Sequence, residues 1–119
     1  MATVKIMLVD GLNIGNVANL EAEIREAGVG DMLDANDESE KVISTPDGYQ
    51  LIASPLLVGI NTLRRQIVRI GDIKGPLTLG EIRKLTPVDL DILQSSADEL
   101  EKASLKRVSA RGRGEGGAA

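Results

Sequence analysis

The chain opens on an apolar, β-branched run, Thr3 to Val9 (TVKIMLV), which predicts a strand. Asp10-Gly11 and Gly15-Asn16 follow as turn signals. Apolar positions resume at Val17, and Leu20, Ala22 and Ile24 are separated by Glu21 and Glu23, with Arg25 next. That is the alternation of a half-buried strand. Together the two runs predict a β-hairpin over residues 3–26, with a connection whose length the pattern leaves open.

Farther along, the period changes. Leu56, Ile60, Leu63, Ile67 and Ile70 recur at spacings of four and three, one apolar stripe of a helix over residues 55–70. Ser54 caps it, Pro55 suits its first turn, and Gly71 suits its C′ position. Arg64, Arg65 and Arg69 lie off the stripe. Thr78 and Glu81 have capping-box spacing, with Leu77 and Ile82 placed as a hydrophobic staple, and predict a helix over 79–85. The device recurs with Thr86 as cap, Pro87 at the first position, Asp89 at the third, and Leu85 and Leu90 as staple. That helix is expected over 87–103, burying Leu90, Leu93, Ala97 and Leu100. The likeness of TLGEIRKL to TPVDLDIL reflects two similar helix starts and is too short for a solenoid repeat. A short acidic helix is expected at about 29–37. Residues 36–50 (NDESEKVISTPDGYQ) read as a loop with a short turn at Pro46-Asp47-Gly48. The expected fold is α+β: an N-terminal β-hairpin followed by three to four α-helices in one small domain over 1–104. Residues 105–119, with four glycines and alternating arginine, predict a flexible tail.

Composition narrows the chemistry. The 119 residues suit a single small domain, and 42% apolar content supports a folded core. There is no Phe or Trp and a single Tyr, Tyr49, so that core must be aliphatic. Without cysteine there is neither a thiolate nucleophile nor a disulfide frame. Without histidine the commonest general base and transition-metal ligand is missing. No segment approaches the roughly 20 apolar residues of a membrane span, and the N-terminal apolar run is too short for a signal peptide, so a cytosolic protein is expected.

The net charge of −4 conceals a division. Residues 21–47 hold nine acids against two bases, whereas residues 60–84 hold six bases against two acids. These faces either attract one another or form a polar partner surface.

The stretch Arg25 to Glu40 (REAGVGDMLDANDESE) invites the sharper readings and fails them. A phosphate loop would need a Lys and Ser/Thr after its glycines, and a dinucleotide loop a third glycine where Leu33 stands. Asp34, Asn36 and Glu38 mimic the start of a calcium loop, but Ser39 and Thr45 occupy its glycine and glutamate positions. Asp89 and Asp91 point to different helix sides, and Asp89 has a capping task. No catalytic, metal or cofactor residues are therefore assigned.

The order of elements resembles the tail assembly chaperones of contractile-tailed, Mu-like phages and prophages. The likeness is carried by LEAEIREAGVGDMLDA, where Arg25, Glu26, Gly30, Asp31, Met32 and Leu33 match the family's element, and by LRRQIVRIGDIKGPLTLGEIRKLTPVDLDIL. It spans roughly residues 3–103. Gly28 departs from the threonine usual there.

The resemblance implies a non-enzymatic protein that binds the tape measure protein and keeps it soluble during tail tube assembly. It places that protein in the host cytoplasm and outside the mature virion. A frameshifted longer form, the tail tube protein and further copies of the chain are the other partners it implies. Ser104-Leu105-Lys106 is codon-compatible with a slippery heptamer. The candidate partner-binding residues are Arg64, Arg65 and Arg69 beside the stripe and Arg111 and Arg113 in the tail; the stripe itself reads as core. Two other classes are a nucleic-acid-binding phage regulator using the basic tail and a minor structural tail protein. The acidic body and the scarcity of aromatics argue against nucleic acid.

Overall fold

The computed structural model describes the backbone of residues 2–117 and the side chains of residues 2–107. Strands β1 (Thr3–Ile14) and β2 (Val17–Arg25) form the expected antiparallel hairpin. Gly15 and Asn16 make its two-residue turn, both with positive φ, as the twist of a tight hairpin requires. Asp10-Gly11 is not a turn. It belongs to a wide bulge in β1, where Leu8 to Gly11 stand opposite Leu20 alone. Gly11 is needed there: its φ is +79°, and a Cβ would lie 2.5 Å from the Asn19 carbonyl.

After the hairpin come α1 (Val29–Ser39), β3 (Glu40–Thr45), β4 (Gly48–Ala53) and α2 (Pro55–Gln66). Strands β5 (Ile67–Ile70) and β6 (Ile73–Lys74) and helices α3 (Leu79–Ile82) and α4 (Pro87–Gly117) complete the chain. The main sheet has the order β1-β2-β5-β6, and β3-β4 form a separate two-stranded sheet. Along β1, outside the bulge at Asp10 and Gly11, the even positions turn inward and the odd ones, Met7 and Val9 among them, face solvent, so helices cover one face of the main sheet. This two-layer arrangement leaves the molecule only 21 Å thick against 57 and 49 Å in its other dimensions. The core is aliphatic throughout: Leu8, Leu12, Ala22 and Ile24 from the hairpin meet Leu63, Ile67, Ile70, Leu77, Ile82, Leu93 and Ala97.

Three elements differ from the sequence expectation. The helix over 55–70 stops at Gln66, and Ile67 to Ile70 pair as a strand with β2. The β-branched run Ile67-Val68 favours a strand, and the free edge of β2 offers hydrogen bonds that a last helical turn cannot. Gly71, expected as a helix terminator, instead turns the β5–β6 hairpin at φ +57°. Residues 40–53 are a hairpin rather than a loop. Its strands escape the alternation test because neither face packs into the core: Val42, Tyr49 and Leu51 on one face and Ile43 and Ile52 on the other are all exposed. Finally, α4 continues to Gly117, through much of the segment expected to be a flexible tail. Ala103 to Arg107 contain no helix breaker, and Arg107 reaches Glu26 at 2.7 Å, which holds the helix beside the end of β2.

The capping residues act as anticipated. Thr78 and Glu81 exchange backbone N–H bonds at 2.9 and 3.1 Å, and the Thr86 hydroxyl accepts from the Asp89 N–H at 3.3 Å. At α1, where Gly28 has no side chain to cap with, Asp31 accepts from the Gly28 N–H at 2.7 Å.

Asp89 does more than cap. Its side chain is fully buried and accepts three backbone N–H bonds from the β1 bulge, from Val9 at 2.7 Å, Asp10 at 3.0 Å and Gly11 at 2.8 Å. Burial pushes its carboxyl pKa up, but these donors and the Thr86 hydroxyl outweigh burial and hold it below the ordinary 3.8. Asp31 is likewise held low by Arg25, and Glu38 by Arg65 and Arg64.

Removing the Asp89 carboxylate strands three N–H groups, so Asp89→Ala should lower unfolding free energy by about 3 kcal/mol or more. Urea titration measures this, and a loss below about 1 kcal/mol would contradict the anchoring role. Because these folded-state pKa values lie below the ordinary ones, the folded protein binds fewer protons than the unfolded chain at acid pH. The stabilisation is therefore complete above the ordinary carboxylate range and is lost as pH falls through the folded values. Thermal unfolding should give a melting temperature that holds steady down to about pH 5 and drops below about pH 4, less steeply in Asp89→Ala.

Candidate functional site

The charge division of the sequence is consumed largely within the fold. Glu38 at the end of α1 binds both Arg64 and Arg65 of α2. Arg64 also donates to the Leu77 carbonyl at 3.2 Å and Arg65 to the Asn61 carbonyl at 2.9 Å. Behind them, buried Asn61 donates to the Ser39 hydroxyl at 2.9 Å, fastening α1 to α2. On the sheet, Arg69 of β5 pairs with Glu21 and Glu23 of β2. Arg25 and Asp31 form a two-pronged pair at 2.7 and 3.0 Å where β2 passes into α1. The structure thus places Arg64 and Arg65 together on one carboxylate and Arg69 apart from them. The side chains of Arg111 and Arg113 lie outside the described residues.

Among the described residues a groove opens between α2 and α4. Its larger part, about 400 Å³, is lined by the apolar or small residues Met32, Gly59, Ala97 and Leu105 and by the carboxylates of Glu26, Asp98 and Glu101. A second part, about 300 Å³, lies between Leu56, Ile60 and Leu90 and is edged by Asp91. Gly59 and Gln94 line both, which makes them one trough. Low-numbered residues of α2 face low-numbered residues of α4, so the helices run side by side in the same direction. From Asp91 to Leu105 the trough follows α4 for roughly 21 Å. Leu56 was expected to join the buried stripe; here it is 72% exposed at the groove mouth. Only Leu63, Ile67 and Ile70 of that stripe are fully buried, while Ile60 is partly covered.

Sequence reasoning did not single out Gly59, Asp91, Asp98 or Glu101 as a surface. The spacing of the three carboxylates, seven and three, is a readable signal of one α4 face. What it faces becomes visible only when α2 is laid alongside.

The described carboxylates with shifted pKa, Glu21, Asp31, Glu38 and Asp89, are all held low by arginine or backbone donors. Each of these groups is engaged in a contact within the fold. Among the described residues no helix is long and apolar enough to cross a membrane.

Comparison with known proteins bears on residues from β1 to α4. Residues 8–113 match the family described as tail assembly protein gp41. The chain is 42% identical over 110 residues to the Mu-like prophage FluMu protein gp41 of Haemophilus influenzae, covering 92% of this chain and 87% of that one. It is 37% identical over 102 residues to the probable tail assembly protein gp41 of Escherichia phage Mu, covering 82% and 71%. A second Mu protein, probable tail assembly protein FS-gp41, matches over the same length at the same identity, but the match covers 54% of it, so it is the longer of the two. No solved structure matches. The chain belongs to the gp41 tail assembly protein family of Mu-like phages and prophages.

Proposed function

We propose that this protein is a non-enzymatic assembly chaperone that binds the tape measure protein and keeps it soluble while the tail tube is built. The observation that carries this reading is apolar surface left uncovered in a folded chain. Single exposed hydrophobic residues are ordinary, but here they gather along the α2–α4 groove and on one face of the β3–β4 hairpin, where Val42, Tyr49 and Leu51 are 65%, 81% and 65% exposed. An isolated two-stranded hairpin is marginal in water, so a covering partner would complete it. A long helical client offers repeated sites, and several copies spaced along it would bind by avidity rather than by strong single contacts. The host cytoplasm is the place of action on this reading, and the mature virion lacks the protein.

The two lengths of the matching Mu proteins support a further element of the proposal, a longer form of this chain sharing its N-terminal domain and arising by frameshift near Ser104 to Lys106. The longer form and the tail tube protein would then join the same assembly.

Co-expression with the tape measure protein of the same phage should move that client from the insoluble to the soluble fraction, several-fold by quantitative gel. An unchanged soluble fraction would end the chaperone reading. Peptide mass spectrometry of purified particles should find the client but not this chain; stoichiometric presence would favour a structural tail component instead. An N-terminal tag on the native gene should reveal a second, longer product, and a single species would remove the frameshift.

A further inference from the structure

We propose that the α2–α4 groove is the client site, and that it takes an amphipathic helix whose aliphatic stripe is flanked on one side by lysine or arginine. This rests on the chaperone reading for the identity of the client, but not for the chemistry of the site.

Gly59 is the first observation. It sits in the interior of α2, where glycine weakens a helix relative to alanine. Nothing in the fold calls for it. It is not among the residues of positive φ, and a Cβ placed on it would meet no heavy atom within 4 Å. Gly71 shows the contrast, since a Cβ there would lie 2.2 Å from the Asn19 side chain. A glycine the protein does not need for itself stands where the two halves of the groove meet. Its missing side chain opens the floor to the close approach of a second helix.

The rim supplies polarity. Asp91, Asp98 and Glu101 lie exposed on the groove side of α4 and form no ion pair among the described residues. Among the described residues no lysine or arginine lines either part of the groove, and the one lining carboxylate with a cationic partner is Glu26, bound by Arg107 at its end. An aliphatic floor beside an unpaired acidic rim is complementary to an apolar stripe bordered by positive charge. Helices α1, α2 and α4 and the linker after β2, not a free sheet edge, supply the lining, which suits ridge-into-groove packing of a helix rather than strand addition. The trough is long enough to hold about four turns of such a ligand.

The probe is a synthetic helical peptide of about four to five turns with leucine at i, i+3, i+4 and i+7 and lysines flanking the stripe. A control carries glutamate in place of lysine. By fluorescence anisotropy the full chain should bind the lysine peptide at least tenfold more tightly than the glutamate peptide, with affinity falling as salt rises. Gly59→Leu should reduce lysine-peptide binding at least tenfold while melting no lower than the wild type, because the side chain enters open space. Asp98→Lys combined with Glu101→Lys, both on the surface, should reverse the peptide preference. Equal binding by Gly59→Leu, or indifference to peptide charge, would overturn the proposal. So would a wild-type dimer in sedimentation that Gly59→Leu breaks, with no peptide binding, since the occupant would then be a second copy. Tape measure solubility separates the two readings. If wild type and Gly59→Leu solubilise that client equally, the groove is wrong and the chaperone role stands. If neither does while the peptide results hold, the groove binds a different basic helix and the chaperone role falls.

Discussion

A buried carboxylate cannot stay ionised in an aliphatic core unless donors surround it, and that requirement at Asp89 organises the fold. The donors are three consecutive backbone N–H groups, which a regular strand would point alternately to opposite sides. The bulge in β1 turns all three the same way, and Gly11 permits the bulge. One contact therefore joins the first strand to the last helix across about 80 residues of chain and sets where α4 begins to cross the sheet. Thr86 and Pro87 prepare the helix start locally; Asp89 decides what that start is attached to.

The rest of the architecture follows from β2. Its inner face gives Ala22 and Ile24 to the core, and its second edge captures Ile67 to Ile70, which takes the chain out of α2 and into the sheet. Asn19 secures the junction: it donates to the Leu12 carbonyl at 3.2 Å and accepts from the Asp72 N–H at 3.2 Å, so it spans the bulge and the β5–β6 turn. The arginines that follow the apolar stripe are drawn onto acids of β2 and α1. Charge separation along the sequence thus serves mainly to close the molecule on itself, and the carboxylates left without arginine partners on α4 acquire their interest by contrast.

A helical layer on one face of a thin sheet leaves α2 and α4 with a gap between them, and the chain does not fill it. The gap could be narrowed with one ordinary side chain at position 59. Keeping it open sacrifices some helix stability and exposes Leu56 to water, a cost that makes physical sense for a surface meant to be covered by something else. On the proposed reading, that is a compromise between a stable fold and an adaptable, partly apolar binding face.

How far the chain could be read depended on whether the deciding interaction is local. The β1–β2 hairpin, the Thr78 and Thr86 caps and the aliphatic core were legible because each is set by neighbours within a few residues: alternation, a cap three positions from its partner, a turn dipeptide. The α2 break was not legible, since Leu63, Ile67 and Ile70 satisfy a helical stripe and a buried strand equally well. Only the open edge of β2, more than 40 residues earlier, tips the balance. The β3–β4 hairpin was hidden because strands exposed on both faces carry no inside–outside alternation. The sequence by itself determined which segments are apolar, where helices begin and that the interior holds no aromatic ring. Tertiary structure decided which arginines are already paired, which carboxylates remain free and where a groove lies, because those depend on which residues distant in the chain come to lie side by side.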